Sequence, residues 1–406
     1  MDLLRAREGR GGRGHAATQE KRQRRAAKAG NKYGDPISLK SKLLAAVPDP
    51  RSPSSTVLVA ESAGAVRLVN LDNPDVDTRP AYRGPTAPVC CVAVGGPGSG
   101  TLFAGSWDKT VWSWDLATRA PGRRFVGHTD FVKAVVCARV GGKDLLISGG
   151  ADKKIMVWDV ATGARLHTLS DAVVNMLSLQ DLAVDRAAST PDEVCLISAS
   201  SDPHIRRWRV RLDGWEQVVE ALPDAPGTDR RTILEHETTV YKLVLGHEGD
   251  DDEEVDLWTS SGDGTAKCLS RLRGFTCEDT FEHGDHVRAV AVTDRWVVTA
   301  GRDEDVKFWD RTTGKLYCAL AGHYDEVTEL VVLRRGAGSG AAERVCSVSI
   351  DGTVRTWPLA RDGLDAAVKE QEKPVDAEEE KAAGGEGLLS AEEEAELAAL
   401  MEDDDE

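Results

Sequence analysis

An aspartate followed six residues later by a tryptophan recurs along this chain, as Asp108–Trp114, Asp152–Trp158, Asp202–Trp208, Asp303–Trp309 and Asp351–Trp357. The surrounding segments repeat with the pair: LFAGSWDKTVWSWD, LISGGADKKIMVWD, LISASSDPHIRRW, VVTAGRDEDVKFWD and VCSVSIDGTVRTW. Each unit reads as a short apolar strand, a tight turn at the aspartate, and an alternating strand that ends in tryptophan. Repetition at this period means that one small unit is used many times, so the fold is an array.

Other residues keep the same register. His128, His283 and His323 each stand four residues before a valine (Val132, Val287, Val327), and His236 holds that offset from Val240. Four residues before a turn aspartate comes Ser148, Ser198, Thr259, Thr299 or Ser347, and Trp114-Asp115, Trp158-Asp159 and Trp309-Asp310 close three units. Together these features resemble the WD40 family over residues 37–359. Two weaker copies complete seven units. VLVAESAGAVRLVN carries Ala63 and Val69 at the aspartate and tryptophan positions, and WTSSGDGTAKCLS keeps Asp263 but ends in Leu269.

The resemblance implies an all-β, seven-bladed propeller over residues 35–361. The blades would be roughly 41–72, 88–116, 130–160, 172–211, 238–271, 285–311 and 325–359, with a strand near 37–41 closing the last. It also implies buried hydrogen-bonded tetrads: His128, Ser148, Asp152, Trp158; His283, Thr299, Asp303, Trp309; and His323, Ser347, Asp351, Trp357. Blades 3, 6 and 7 are then expected to be the stiffest. Segments 180–193, 211–232 and 334–343 read as inter-strand insertions.

Serine, histidine and aspartate are also what an acyl-transfer triad needs. Three near-identical copies argue for a structural role, because a catalytic site is unique and asymmetric. The chain has no Gly-x-Ser-x-Gly elbow, phosphate-binding glycine loop or His-Glu-x-x-His, so neither catalysis nor a cofactor or metal is expected. Eight cysteines without a Cys-x-x-Cys pair read as free thiols in strands. No apolar run approaches the ~20 residues that span a bilayer, and the first thirty residues are too polar for a secretory signal.

Charge is concentrated at the two ends. Residues 1–42 carry twelve Arg/Lys against four Asp/Glu, and residues 362–406 carry three lysines against eighteen acids, in a chain of net charge −17. Residues 1–34 read as a disordered basic arm whose Lys21, Arg22, Arg24 and Arg25 suit nuclear import or contact with RNA or DNA phosphates. The expected address is the nucleus or nucleolus with a cytoplasmic pool. Asp2, Glu8 and Glu20 disfavour a mitochondrial presequence. Residues 362–387 read as an acidic linker and 388–402 as an amphipathic acidic helix capped by Ser390, before an acidic end at 403–406. Leu397, Leu400 and Met401 share one face of that helix and could dock in a partner's groove.

The family resemblance also implies where partners meet the ring: on its narrow face, beside each register valine and each turn aspartate. Carried over, this gives one sector of Trp107, Lys109, Phe131, Lys133 and Lys153, and another of Tyr241, His286, Arg288 and Arg302. Aromatics among cations suit an acidic or phosphorylated peptide. The leading expectation is a non-catalytic adaptor, monomeric within a hetero-complex, with no membrane contact. A second is a nucleic-acid-associated subunit, since Ala300-Gly301-Arg302-Asp303-Glu304 resembles a stretch of the WD-repeat partner of a tRNA guanine-N7 methyltransferase. A third is a substrate receptor of a cullin-type ubiquitin ligase. Such receptors end a repeat with Trp-Asp-x-Arg, from which Trp208-Arg209-Val210-Arg211 and Trp309-Asp310-Arg311 both depart.

Overall fold

The computed structural model describes residues 28, 30–73, 81–171, 173–222, 225–246, 255–334 and 343–373. The cluster Lys21, Arg22, Arg24 and Arg25 and the tail residues Leu397, Leu400 and Met401 lie outside the described residues. Within them, seven antiparallel sheets of four or five strands form successive blades, and a separate two-stranded sheet lies in the blade 4 segment.

Blade 1 comprises Leu43–Pro48, Thr56–Glu61, Ala65–Asn70 and Ala81–Arg83. Blade 2 comprises Val89–Gly95, Thr101–Ser106, Thr110–Asp115 and Pro121–Val126. Blade 3 comprises Val132–Val140, Lys143–Gly150, Ile155–Asp159 and Arg165–Leu169. Blade 5 comprises Val240–Leu245, Leu257–Ser261, Thr265–Ser270 and Thr276–Glu282. Blade 6 comprises Val287–Val292, Trp296–Gly301, Val306–Asp310 and Leu316–Leu320. The first strand of each blade touches the first strand of the next, and that of blade 7 touches that of blade 1, which closes the ring.

Second strands such as Trp296–Gly301 are buried at every residue, because sheets cover both of their faces. That is why they read as unbroken apolar runs rather than as alternation. Trp114, Trp208 and Trp357 are essentially fully buried between blades, each such side chain contributing on the order of 2–3 kcal/mol.

Blade 4 departs from the pattern. Its inner strands are Leu179–Thr190, Glu193–Ser200 and Ile205–Val210. Two short strands, Trp215–Gln217 and Thr232–Ile233, share the outer edge of Ile205–Val210. Between them, Glu220–Leu222 pairs with Ala225–Arg230. Segments 180–193 and 211–232, read as insertions from sequence, are therefore largely strand. In 211–232 the patterning is weak because the outer edge faces water and is split between two short strands.

The turn after the second strand has one shared feature. The residue after the turn aspartate takes a left-handed backbone at Lys109, Lys153, Gly264, Glu304 and Gly352, and Gly64 does so in blade 1. Blade 4 has Pro203 at that position, whose ring forbids positive φ.

Blade 7 comprises Val327–Leu333, Arg344–Ser349 and Thr353–Pro358, and its outer strand comes from the other end of the chain. Ile37–Ser38 pairs with Val354 and Thr353, Leu39 N–H donates to Gly352 O at 2.8 Å and Thr356 N–H to Gly34 O at 2.8 Å. Two assignments made from sequence need correction here. The last described part of the 1–34 arm is docked: Arg355 is buried and donates to Asn31 Oδ1 at 2.7 Å and to Tyr33 O, while Tyr33 packs on the core between blades 6 and 7. The start of the 362–387 linker is helix. Helix α1, Arg361–Gln371, buries Leu364 against blades 6 and 7, so charge alone misread a segment that carries one apolar anchor.

Candidate protein-interaction face

The expected tetrad residues lie in hydrogen-bonded chains. In blade 3, Trp158 Nε1–H donates to Ser148 Oγ at 2.9 Å, Ser148 lies 2.9 Å from His128 Nε2, and His128 Nδ1 lies 3.0 Å from Asp152. An indole N–H can only donate, so the chain runs from tryptophan through hydroxyl and imidazole to carboxylate. Blade 6 repeats it with Trp309, Thr299, His283 and Asp303 at 2.8 Å for each link. Blade 7 repeats it with Trp357, Ser347, His323 and Asp351 at 2.8, 2.7 and 2.9 Å. Blade 5 keeps His236, Thr259 and Asp263, at 2.7 and 2.8 Å, without an indole. Burial works to raise these carboxyls, but the histidine and turn amides outweigh it and hold Asp152, Asp263 and Asp351 below the usual range. In blade 6 the histidine and Lys307 do the same for Asp303.

Sequence reasoning missed a second set of residues, four positions after the turn. Arg206, Lys307 and Arg355 stand there after an aspartate, and Arg67 stands there after Ala63. In blade 4, whose turn carries Pro203 and whose register lacks the histidine, Arg206 donates to Asp171, Ser200 and Asp202 at 3.0, 3.1 and 3.1 Å. Lys307 reaches Asp303 at 2.7 Å, and Arg67 reaches Glu61 at 2.6 Å. The recurring cation was visible in the repeats once the period was set.

One backbone bond builds the rim. The N–H of the residue before the turn aspartate donates to the carbonyl just before the register residue that opens the same blade's first strand: Trp107 to Pro88, Ala151 to Phe131, Ser201 to Ser178, Gly262 to Thr239, Arg302 to His286 and Ile350 to Glu326, at 2.8–3.1 Å. Residues beside the valines and beside the aspartates therefore share one end of the ring.

At that end, Trp107 and Phe131 stack at 4.9 Å across the junction of blades 2 and 3. They are 40% and 39% exposed and are the exposed tryptophan and phenylalanine among the described residues. Lys109 and Lys153 flank them in the open. Lys133 does not join them as a free cation. It is half-buried, donates to Gln180 at 3.1 Å, and is lowered by burial and by the charge of Arg288. In the other sector, Arg288 stacks on Tyr241 at 4.2 Å and pairs with Glu326 at 3.3 Å. Arg302 is exposed and His286 half-buried. The positive face read from sequence is thus partly neutralised by its own neighbours.

Below this rim the channel holds a second group that the sequence did not single out. Lys242 lies 2.8 Å from Glu329 and 3.8 Å from Asp181, joining blades 4, 5 and 7. Burial opposes the Lys242 charge, but the two carboxylates more than offset it and raise the ammonium above its usual range. Burial in turn raises Asp181 and Glu329. Each stands two residues past a register position, where Ala45, Ala134 and Ala289 stand in other blades.

Three stretches, residues 78–115, 119–159 and 275–310, match the WD domain, G-beta repeat family. With seven blades and the histidine–hydroxyl–aspartate chains in place, the assignment is decided. The chain is a WD40-repeat protein. This WD40 propeller is 28% identical over 357 residues to an uncharacterized WD repeat-containing protein of Schizosaccharomyces pombe, covering 86% of this chain and 88% of that one. It is 29% identical over 288 residues to the nuclear distribution protein nudF of Emericella nidulans, covering 68% of this chain and 60% of that protein. Against the nuclear distribution protein PAC1 of Coccidioides posadasii the figures are 28% over 308 residues, 71% and 61%. WD40 propellers are generally non-catalytic scaffolds that bind other proteins. Among the described residues, no helix of this one is long and apolar enough to cross a membrane.

Proposed function

We propose that this WD40 protein is a non-catalytic adaptor that holds an acidic or phosphorylated segment of a partner protein on its narrow face, within a nuclear complex. The stacked Trp107–Phe131 pair carries the reading. Two large aromatic rings left in water between Lys109 and Lys153 cost hydration free energy that a partner's side chain would recover, and the flanking ammonium groups favour an anionic partner. The nuclear address rests on Lys21, Arg22, Arg24 and Arg25. Deleting residues 1–27 should abolish nuclear signal of a tagged protein.

The test replaces the platform and its cations separately. Trp107→Ala with Phe131→Ala, and Lys109→Glu with Lys153→Glu, should each remove the same partners recovered by affinity purification with the wild-type chain, at unchanged thermal midpoint. Retention of every partner by both variants would overturn the reading.

A second reading is a nucleic-acid-associated subunit, such as the non-catalytic partner of a tRNA guanine-N7 methyltransferase. The observation that favours it is at the Arg302-Asp303-Glu304 turn, where Arg302 is exposed and Lys28 of the basic arm is bound at Glu304, 3.1 Å away. Salt-sensitive retention on RNA and co-purification with a methyltransferase chain would select it. Against the cullin-receptor reading, Arg209 and Arg211 pair within their own sheet with Glu193, at 3.5 and 2.5 Å.

A further inference from the structure

Cys90 and Cys91 are neighbours in the first strand of blade 2, Val89–Gly95. In a regular strand adjacent side chains point to opposite faces, so two such cysteines read as separate thiols. This strand is irregular at that point. Val89 pairs with Ser106 and Cys91 with Gly105, which leaves Cys90 as the extra residue of a β-bulge, a feature that re-aims side chains. Both sulfurs converge on one oxygen as a result. Cys90 Sγ lies 2.9 Å and Cys91 Sγ 3.9 Å from the carbonyl of Val132, across the junction with blade 3. Gly105 makes the room, since a Cβ there would lie 2.4 Å from Cys91 Sγ. Cys91 is buried and Cys90 half-buried, so the pair meets solvent through Cys90.

The surroundings limit what such a pair can hold. Lys133 is the extra residue of the matching bulge in blade 3, and its ammonium favours the Cys90 thiolate. Among the described residues, no group of three or more His, Cys, Asp or Glu side chains could hold a metal ion. Cys137, on the neighbouring strand, lies against Gly95. That is four residues along from Cys91, about 13 Å at strand spacing. A zinc ion, which takes four ligands, is therefore left incomplete here. Thiolate sulfur selects soft ions such as copper(I), and copper(I) is complete with two sulfurs. The resulting complex carries one net negative charge, which the Lys133 ammonium offsets.

We propose that Cys90 and Cys91 form a two-sulfur site for a soft monovalent metal ion, copper(I), at the blade 2–3 junction. Binding releases one proton from each thiol and forms two copper–sulfur bonds, with no change of oxidation state. The site rests on thiol geometry and not on the adaptor reading, so metal binding and partner capture can fail separately.

The experiment titrates the reduced, full-length chain with copper(I), without oxygen, against the chromophoric chelator bicinchoninate. The wild type should withhold a single equivalent from the chelator. Cys90→Ser and Cys91→Ala should each weaken that binding by at least about 100-fold, since losing even an outer-shell partner costs about 10–100-fold. Cys277→Ser should leave it unchanged. Two measurements on the wild type alone decide the matter if a variant does not fold. Bound copper should protect Cys90 from iodoacetamide while Cys277 stays reactive, and X-ray absorption should show two sulfur neighbours and no third ligand. No copper withheld by the wild type, tight copper kept by both variants, or protection of Cys277 in place of Cys90 would overturn the proposal.

Discussion

Arg206 and Asp171 form a fully buried ion pair, Nε to Oδ2 at 3.0 Å, with neither side chain exposed to water. The same guanidinium holds Asp202 at 3.1 Å. In blades 3, 5, 6 and 7 a histidine bonds the turn aspartate. Blade 4 has no histidine at that offset, and a cation on its third strand does the work instead. Burial alone would raise both aspartates. The amides of Val174 and Leu177, together with Arg206, hold them below the usual carboxylate range.

Removing the arginine should therefore be severe. Arg206→Met leaves two buried carboxylates without a counter-ion, and breaking such a pair from one side costs about 3–5 kcal/mol. The check is a denaturant midpoint at neutral pH. A loss within the scatter of surface substitutions would show that Asp171 and Asp202 find other partners.

The tetrads set an acid limit. The Asp351 carboxyl is low in the fold, so its contribution is complete above the ordinary carboxylate value of about 3.9 and is lost as pH falls through the lower folded value. Burial lowers His323 and favours its neutral form, so its contribution is complete above about pH 6.5 and declines as the unfolded chain takes up the proton first. Thermal midpoints should begin to fall below neutral pH and fall further toward pH 3. The deficit of Asp351→Asn relative to wild type should shrink as pH falls below about 3.9, where the wild-type carboxylate begins to be lost. A constant deficit across that range would contradict the assignment.

Ring closure should hinge on Gly352. Its φ is +83°, and a Cβ there would lie 2.8 Å from Leu39 O in the closing segment. Gly352→Ala should cost at least about 1–2 kcal/mol from the backbone alone, and the strain falls where Ile37–Ser38 joins blade 7. Hydrogen exchange should show faster exchange at Leu39 and Thr356 than in wild type, with blade 3 unchanged. Uniform acceleration around the ring would mean that closure does not depend on this turn.

The channel ions should respond to pH in the opposite sense. Lys242→Met leaves Asp181 and Glu329 facing one another without the ammonium, at a cost of about 1–3 kcal/mol near neutral pH. Both carboxyls are already above their usual range, so the fold binds protons more readily than the unfolded chain there. The penalty should lessen as pH falls toward 5. Melting curves of wild type and variant at both pH values test this, and a penalty that grows in acid would exclude it.

The order of flexibility gives a last expectation. Blades 3, 6 and 7 have an indole closing the chain, as Trp158, Trp309 and Trp357 do, whereas blade 5 has Leu269. Ser347→Ala should leave both an indole N–H and an imidazole unsatisfied, each costing about 1–3 kcal/mol. Thr259→Ala in blade 5 should cost less, because only the imidazole is orphaned. Equal losses in the two variants would mean that the indole bond contributes little.

Within single repeats, the sequence determined nearly everything. The aspartate–tryptophan spacing, the serine or threonine four residues ahead and the histidine before each valine are contacts made inside one blade or with the loop entering it. The same local logic gave seven units and brought Trp107, Lys109, Phe131 and Lys153 to one rim. What the tertiary structure alone decided are contacts between residues far apart in the chain. Lys242 meets Glu329, Arg355 meets Asn31, and Lys28 meets Glu304. These depend on the ring having closed, and no periodicity records which two distant positions closure will bring together. For the same reason helix α1 read as linker, since its anchor Leu364 has meaning only beside blades it does not follow in pattern. Repetition encodes the unit, and only the closing of the circle chooses the partners across it.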